Sequence, residues 1–197
     1  MNSLRRLDLS QTAFDLDGVV VDIVSPFLRL LEQRYGYAGF TPDHITSFDL
    51  VAALGIPEPV VRAIVDELLE HPLELGARPY AGAAEVLERL SQQDTLLFVT
   101  SRPRAEPMEA WFRAVLPHLP EDRIEIIATG EPEAKLDCLR ESGKNCFIDD
   151  YLETCRQLDR AGLVSVVYDQ PWNRSDDRLL RVKGWPELSR LFGLNPE

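Results

Sequence analysis

The 197-residue sequence predicts an α/β fold, a three-layer sandwich with a central parallel sheet, broken early by a small helical insertion. Three observations carry this expectation. Short apolar runs alternate with longer stretches of helical period, the pattern of a sheet covered on both faces by crossover helices. Those runs are near-continuously apolar rather than alternating, as strands buried on both faces are. One stretch, from about Ile23 to Arg78, holds two helical patterns and no buried-strand pattern.

In chain order, the first strand is expected at Thr12 to Leu16. The insertion follows. Phe27, Leu30, Leu31 and Tyr35 line one helical face, ended by Gly36, and Val61, Ile64, Val65 and Leu68 line a second, entered through Pro57 and Pro59. Pro79, Tyr80 and Gly82 mark the return, so residues 1–22 and 78–197 are expected to form the core and 23–77 a helical cap. Ala83, Val86, Leu87 and Leu90 make the next helical stripe, before a strand at Thr95 to Thr100. Met108, Trp111, Phe112, Val115 and Leu119 make another, before a strand at Arg123 to Ala128. A helix begun at Glu131 and Pro132 leads to a strand at Asn145 to Asp149. Leu152, Cys155 and Leu158 form the last stripe, closed by Gly162 at a C′ position, before a strand at Leu163 to Tyr168. Right-handed crossovers bring the C-terminal ends of all five strands to one sheet edge, where ligands bind in such folds.

Composition narrows the function classes. Hydrophobic residues make up 45% and charged residues 27%, the range of a folded globular chain. A formal net charge of −12 argues against a nucleic-acid polymer or an anionic membrane surface as partner, while a metal and a few local cations still allow a small anionic substrate. The N-terminal segment has no apolar run long enough for a leader core or a membrane span, so a cytoplasmic location is expected. Cys138, Cys146 and Cys155 lack CxxC spacing and read as reduced core residues, and His44, His71 and His118 are too scattered to suggest zinc.

The chemistry concentrates at strand ends. Strand one runs out in Phe14-Asp15-Leu16-Asp17-Gly18-Val19, and two acids emerging from a buried strand are costly unless a cation compensates them. Phe147-Ile148-Asp149-Asp150 presents a second acidic pair in the same way. Together the pairs supply the hard oxygen ligands that Mg²⁺ prefers. Thr100, followed by Ser101 and Arg102, offers a hydroxyl where the second strand opens onto the same edge, and Lys135 follows the third. A hydroxyl can bond a phosphoryl oxygen, and an ammonium can neutralise both a carboxylate nucleophile and a transferring phosphoryl group. Singly these signals are weak: DxD occurs by chance, and Asp150 could simply cap a helix starting at Tyr151. Their conjunction in the order D-x-D, T, K, DD is what carries the argument.

That order and spacing resemble the four motifs of the haloacid dehalogenase (HAD) superfamily, carried here by Asp15-Leu16-Asp17-Gly18-Val19, Thr100, Lys135 and Asp149-Asp150. The resemblance implies a HAD-like Rossmannoid core with a helical cap after strand one, and a Mg²⁺-dependent phosphohydrolase acting on a small phosphorylated metabolite. It implies Asp15 as nucleophile forming an aspartyl phosphate, and Asp17 as the acid that protonates the leaving oxygen and then activates water. Thr100 would bind phosphate and Lys135 would hold Asp15 and the phosphoryl group. The substrate-binding set is then Gly18, Thr100, Ser101, Arg102 and Lys135, and the metal set Asp15, Asp17, Asp149 and Asp150. Carbon–halogen dehalogenases of the superfamily lack the second acid, so Asp17 argues for phosphate.

A closer resemblance is to the 5′-nucleotidase or deoxyribonucleotidase branch, on the DLDGVVVD opening with Asp22, the Thr100-Ser101 pair, and Tyr168-Asp169-Gln170-Pro171-Trp172-Asn173-Arg174. The last reads equally as an ordinary Pro turn. Phe27, Tyr35, Phe40 and Phe48 could stack a base, although core packing explains each better, and Ile23 stands where these nucleotidases usually have an aromatic. Trp172 and Trp185 read as packing residues. The alternatives are a sugar- or cofactor-phosphate phosphatase with the same machinery, and a non-catalytic phosphate-ligand or regulatory protein on the same fold. A receiver domain has similar residues but the reverse motif order and a much shorter chain; a long-lived phosphoaspartate would favour it, and rapid turnover of a phosphate ester would exclude it.

Overall fold

A computed structural model of the chain describes residues 6–175 and 178–194; residues 1–5, part of the N-terminal segment considered above, lie outside the described residues. The strands are β1 (Thr12–Phe14), β2 (Val21–Asp22), β3 (Arg78–Pro79), β4 (Leu96–Thr100), β5 (Ile124–Ala128), β6 (Cys146–Asp149), β7 (Val164–Tyr168) and β8 (Leu180–Val182). The helices are α1 (Val24–Tyr35), α2 (Leu50–Leu54), α3 (Glu58–Glu70), α4 (Ala83–Ser91), α5 (Glu106–Val115), α6 (Lys135–Glu141), α7 (Leu152–Arg160) and α8 (Trp185–Leu191). Six strands pair in parallel in the order β5-β4-β1-β6-β7-β8. The chain therefore builds outward from β1 in one direction, then crosses to its other side, which makes β1 the topological switch point where a crevice opens.

The period of two along each strand decides which helix packs on which face. Phe14, Phe98 and Ile148 belong to one apolar cluster with Leu87 of α4, Phe112 of α5 and Trp185 of α8. Ala13, Leu97 and Phe147, their sequence neighbours, belong to another with Leu139 of α6 and Leu158 of α7. This is the expected three-layer sandwich. Phe14 is central to it, with ring centroids 5.9 Å from Phe98 and 6.0 Å from Trp185. The Trp185 indole also donates to the Val19 carbonyl at 2.9 Å, fixing the loop after β1.

The insertion leaves and returns through an antiparallel ribbon, with Val21 opposite Pro79 and Asp22 opposite Arg78. Between them α1, α2 and α3 have an apolar cluster of their own, built on Phe27, Leu31, Ile45, Ile64 and Leu68. Gly36 ends α1 at φ 75, the left-handed region that favours glycine. Asp22 accepts hydrogen bonds from the Ser25 backbone (2.9 Å) and hydroxyl (2.5 Å), so its place in the opening motif includes holding the first turn of α1.

Several expectations are corrected. Strand one stops at Phe14 rather than Leu16, because the Leu16 carbonyl accepts from Val20 and Val21 and curls the chain. β5 is an edge strand, half-exposed with Glu125 outward, and not buried on both faces. Tyr35 is 42% exposed and does not join the buried face of α1. Leu119 packs in the turn beyond α5, and the helix expected from Glu131 begins as a 3₁₀ turn at Pro132–Ala134 and becomes α at Lys135. β8 and α2 are additions, each too short to leave a periodic signal.

Replacing the fully buried Trp185 by alanine should cost about 3–5 kcal/mol in urea unfolding. Tyr35→Ala, at an exposed site, should stay within about 0.5 kcal/mol.

Candidate active site

Asp15 follows directly on β1, and its backbone N–H still donates to the Ile148 carbonyl at 2.8 Å. The ladder thus carries it alongside Asp149 at the end of β6. One carboxylate oxygen from each of Asp15, Asp149 and Asp150 lies within 4.8 Å of the others, and all three residues are buried. Lys135, at the start of α6, reaches in with its ammonium 3.0 Å from Asp149 Oδ2 and 3.1 Å from Asp15 Oδ1. Its Nζ also sits 5.3 Å from the Phe147 ring centroid. Asp15 after β1, Asp149 and Asp150 at the end of β6, and Lys135 beyond β5 are therefore brought together.

Three carboxylates and one ammonium leave two negative charges uncompensated in a buried site, which is the charge of one divalent cation. Burial pushes Asp15 up to about 7, with Lys135 opposing and Asp149 and Asp17 adding to the rise. Burial likewise pushes Asp150 well above the usual carboxylate range, reinforced by Asp149 and Asp15. Burial works against the Lys135 charge, yet Asp149 and Asp15 together hold its pKa above the ordinary lysine value. Asp15 Oδ1 makes no hydrogen bond, since the nearby ammonium is not aligned to donate to it. A buried carboxylate oxygen without a donor, inside a set of hard oxygen ligands, fits a divalent metal.

Asp17 is placed differently. Its carboxylate is held by Arg102, with Nε to Oδ2 and Nη2 to Oδ1 both at 2.7 Å, outside the acidic triad. Thr100 is buried at the end of β4, where its hydroxyl accepts the Arg102 N–H at 3.3 Å; Ser101 rather than Thr100 lines the adjoining cavity. Gly18 is where glycine is required: φ is +79, and a Cβ there would lie 2.2 Å from Asp150 Oδ2. Asp149, not Asp150, accepts the Tyr151 N–H ahead of α7, so Asp150 is not the helix cap weighed above.

The tail motif turns out to be both a turn and part of the site. Gln170–Asn173 form a reciprocally capped 3₁₀ turn, from which Trp172 Nε1 donates to Asp150 Oδ2 at 2.8 Å. Asn173 Nδ2 donates to the Asp150 and Tyr168 carbonyls at 2.8 Å, and Gln170 Nε2 to the Gly18 carbonyl at 2.6 Å. Arg181 of β8 grips Asn173 in turn. Trp172 thus does more than pack; the motif was the sequence signal for it. Arg181 had no signal, because β8 had none.

A cavity of about 430 Å³ opens over the acids, between the sheet edge and the insertion. Val24, Ile45, Leu50, Val61, Val65 and Leu69 give it a largely aliphatic wall. At its rim Phe48, 52% exposed, stacks against Tyr151 with centroids 4.1 Å apart. Of the other candidate aromatics, Phe27 is buried in the insertion's core, Phe40 packs against that core and Tyr35 faces outward.

Comparison with known proteins gives concordant results. Residues 10–195 match the family described as 5′ nucleotidase, deoxy (pyrimidine), cytosolic type C protein. A nucleotidase of Clostridium acetobutylicum is 22% identical over 184 residues, covering 90% of this chain and 93% of that one. A haloacid dehalogenase-like hydrolase from Bacteroides fragilis superposes with a TM-score of 0.62 at 18% identity, over 92% of this chain and all of that one. CbbY from Rhodobacter sphaeroides, solved in complex with phosphate, gives 0.57 at 17% identity, over 92% and 96%.

If a divalent cation completes the acidic triad, millimolar Mg²⁺ or Mn²⁺ should raise the melting temperature by about 5 °C or more over a chelated sample. Gly18→Ala, which drives a methyl group into Asp150, should abolish most of that increment. An unchanged increment in the variant would contradict the site geometry described.

Proposed function

The chain belongs to the deoxy (pyrimidine) 5′-nucleotidase family of cytosolic type C, within the HAD-like hydrolases, and on that footing we propose that it is a Mg²⁺-dependent cytoplasmic 5′-nucleotidase working through Asp15. The observation that carries the reading is the Asp15 carboxylate itself. It is buried beside Lys135, has one oxygen free of hydrogen bonds, and lines a cavity large enough for a small phosphate ester. No helix among the described residues is long and apolar enough to cross a membrane.

In this proposal Asp15, Asp149 and Asp150 would hold a divalent cation, which would supply positive charge against the nucleophile and the phosphoryl group. Asp149 already accepts from Lys135 and Tyr151, so its charge matters more than its free lone pairs. The Asp15 carboxylate bonds to phosphorus as the bond from phosphorus to the alcohol oxygen breaks, giving an aspartyl phosphate. Lys135 would compensate the charge of the nucleophile, and Ser101 and the backbone around Gly18, which line the cavity, would receive phosphoryl oxygens, with Thr100 buried behind them. Asp17, ion-paired with Arg102 at rest, would take up a proton from the monoanionic phosphate ester as it binds and pass it to the departing alcohol oxygen. Asp17 then takes a proton from water as that water attacks phosphorus, which releases inorganic phosphate and restores Asp15.

The insertion, residues 23–77, is proposed to act as the cap that encloses the leaving group. Its cavity wall is mostly branched aliphatic, with Phe48, Tyr151 and Trp172 nearby. Such a wall suits a nucleoside with a flat, weakly polar face better than a polyol, which needs many hydrogen-bond partners. The nucleotidase from Clostridium supports the same choice.

Asp15→Asn should lower turnover of a deoxynucleoside 5′-monophosphate by at least about 10³-fold without loss of the folded circular dichroism spectrum. Residual activity above about one per cent would remove Asp15 from the role. Deoxynucleoside 5′-monophosphates should exceed glucose 6-phosphate at least about tenfold in kcat/KM. Equal values would leave the phosphatase standing and sink the nucleotide preference.

A further inference from the structure

Arg102 is a buried cation with an unusual set of partners. Its side chain is 1% exposed. Nε and Nη2 hold both oxygens of Asp17 at 2.7 Å, and Nη1 donates to the Leu69 carbonyl at 2.8 Å. Leu69 lies in the last turn of α3, where backbone carbonyls lack helical partners and a cation is favoured by the helix dipole. All three guanidinium nitrogens are thus engaged, two on the core's second acid and one on the insertion. The guanidinium anchor is itself fixed, since Arg102 N donates to Thr100 Oγ1 and the Arg102 carbonyl accepts from Gly130.

We propose that Arg102 is a positioning residue: it sets the orientation of the Asp17 carboxylate and ties that orientation to the seating of α3 over the site. The inference rests on the reading of Asp17 as the group that protonates the leaving oxygen. A carboxylate on a loop can rotate about two side-chain bonds, and a bidentate guanidinium removes that freedom in a way that a point charge does not. The third donor makes the hold conditional on the insertion, because lifting α3 withdraws the Leu69 carbonyl from Nη1. Arg102 borders the cavity, but each of its guanidinium nitrogens already has an acceptor on Asp17 or Leu69, so its part in this proposal is to position Asp17.

Leaving-group dependence separates this role from a structural one. An alkyl phosphate such as a deoxynucleoside 5′-monophosphate needs its departing oxygen protonated, whereas 4-nitrophenolate departs well without a proton. The parameter to compare is kcat/KM, which covers only the steps through loss of the alcohol and omits hydrolysis of the phosphoenzyme. Asp17→Asn should lose about 100-fold more on the alkyl ester than on 4-nitrophenyl phosphate. Arg102→Met should lose on both, but at least about tenfold more on the alkyl ester. In the double variant, Arg102→Met should add to the Asp17→Asn loss on the alkyl ester no more than the loss it causes on 4-nitrophenyl phosphate. Arg102→Lys keeps the charge without the fork and should show the same imbalance, smaller in size; it carries the test alone if Arg102→Met does not fold. Equal losses on the two esters in the Arg102 variants, with Asp17→Asn still unbalanced, would overturn the inference and leave the proposed reaction intact. Balanced loss in Asp17→Asn would instead remove the role of Asp17 on which the inference rests.

Discussion

The structure depends on three buried carboxylates being held within 4.8 Å of one another with only one lysine among them. Such an arrangement is unfavourable as a fold-stabilising device, because burial and mutual repulsion both oppose ionisation. It makes sense as a binding site whose missing charge arrives with a cation. The surrounding architecture can be understood as the means of keeping these acids together. The sheet places β1 and β6 side by side, and the fully buried Phe14, Ile148 and Trp185 give those strands a rigid floor.

The acids are braced from outside by groups far away in sequence. Asp150 is held through its carboxylate by Trp172 and through its backbone by Asn173, which is itself gripped by Arg181. Gln170 holds the Gly18 carbonyl, so the loop after β1 and the loop after β7 are locked into one unit. Asp17 lies outside the triad and is held by a residue that also touches the insertion. Two acids separated by one residue thereby acquire different surroundings, which suits the two different roles proposed for them.

Much of this was legible in the sequence, for physical reasons that can be named. Central strands buried on both faces leave continuous apolar runs, so β1, β4, β6 and β7 were found within a residue or two of their ends. Helices with a single buried stripe, such as α4 and α7, were found by their period. The acidic pairs stood out because charge at the end of an apolar strand is costly, and Lys135 by its place in the order D-x-D, T, K, DD. What escaped was short or relational. Three residues of β8 and five of α2 cannot display a period, and although β5 was found within a residue of its ends, its half-exposed edge position was not. The pairing of Asp17 with Arg102 joins residues 85 positions apart and has no local signature. Tyr35 shows the reverse error, a helical spacing that ends on the solvent side.

One divalent cation shared by Asp15, Asp149 and Asp150 is the central claim. Crystals grown with Mn²⁺ and measured at its absorption edge would locate that ion directly by its anomalous scattering. The expected result is a single strong peak within coordinating reach of Asp15 and Asp150, with Lys135 alongside and Asp17 still on Arg102. A site without a peak at saturating Mn²⁺, or a peak away from Asp15, would contradict it.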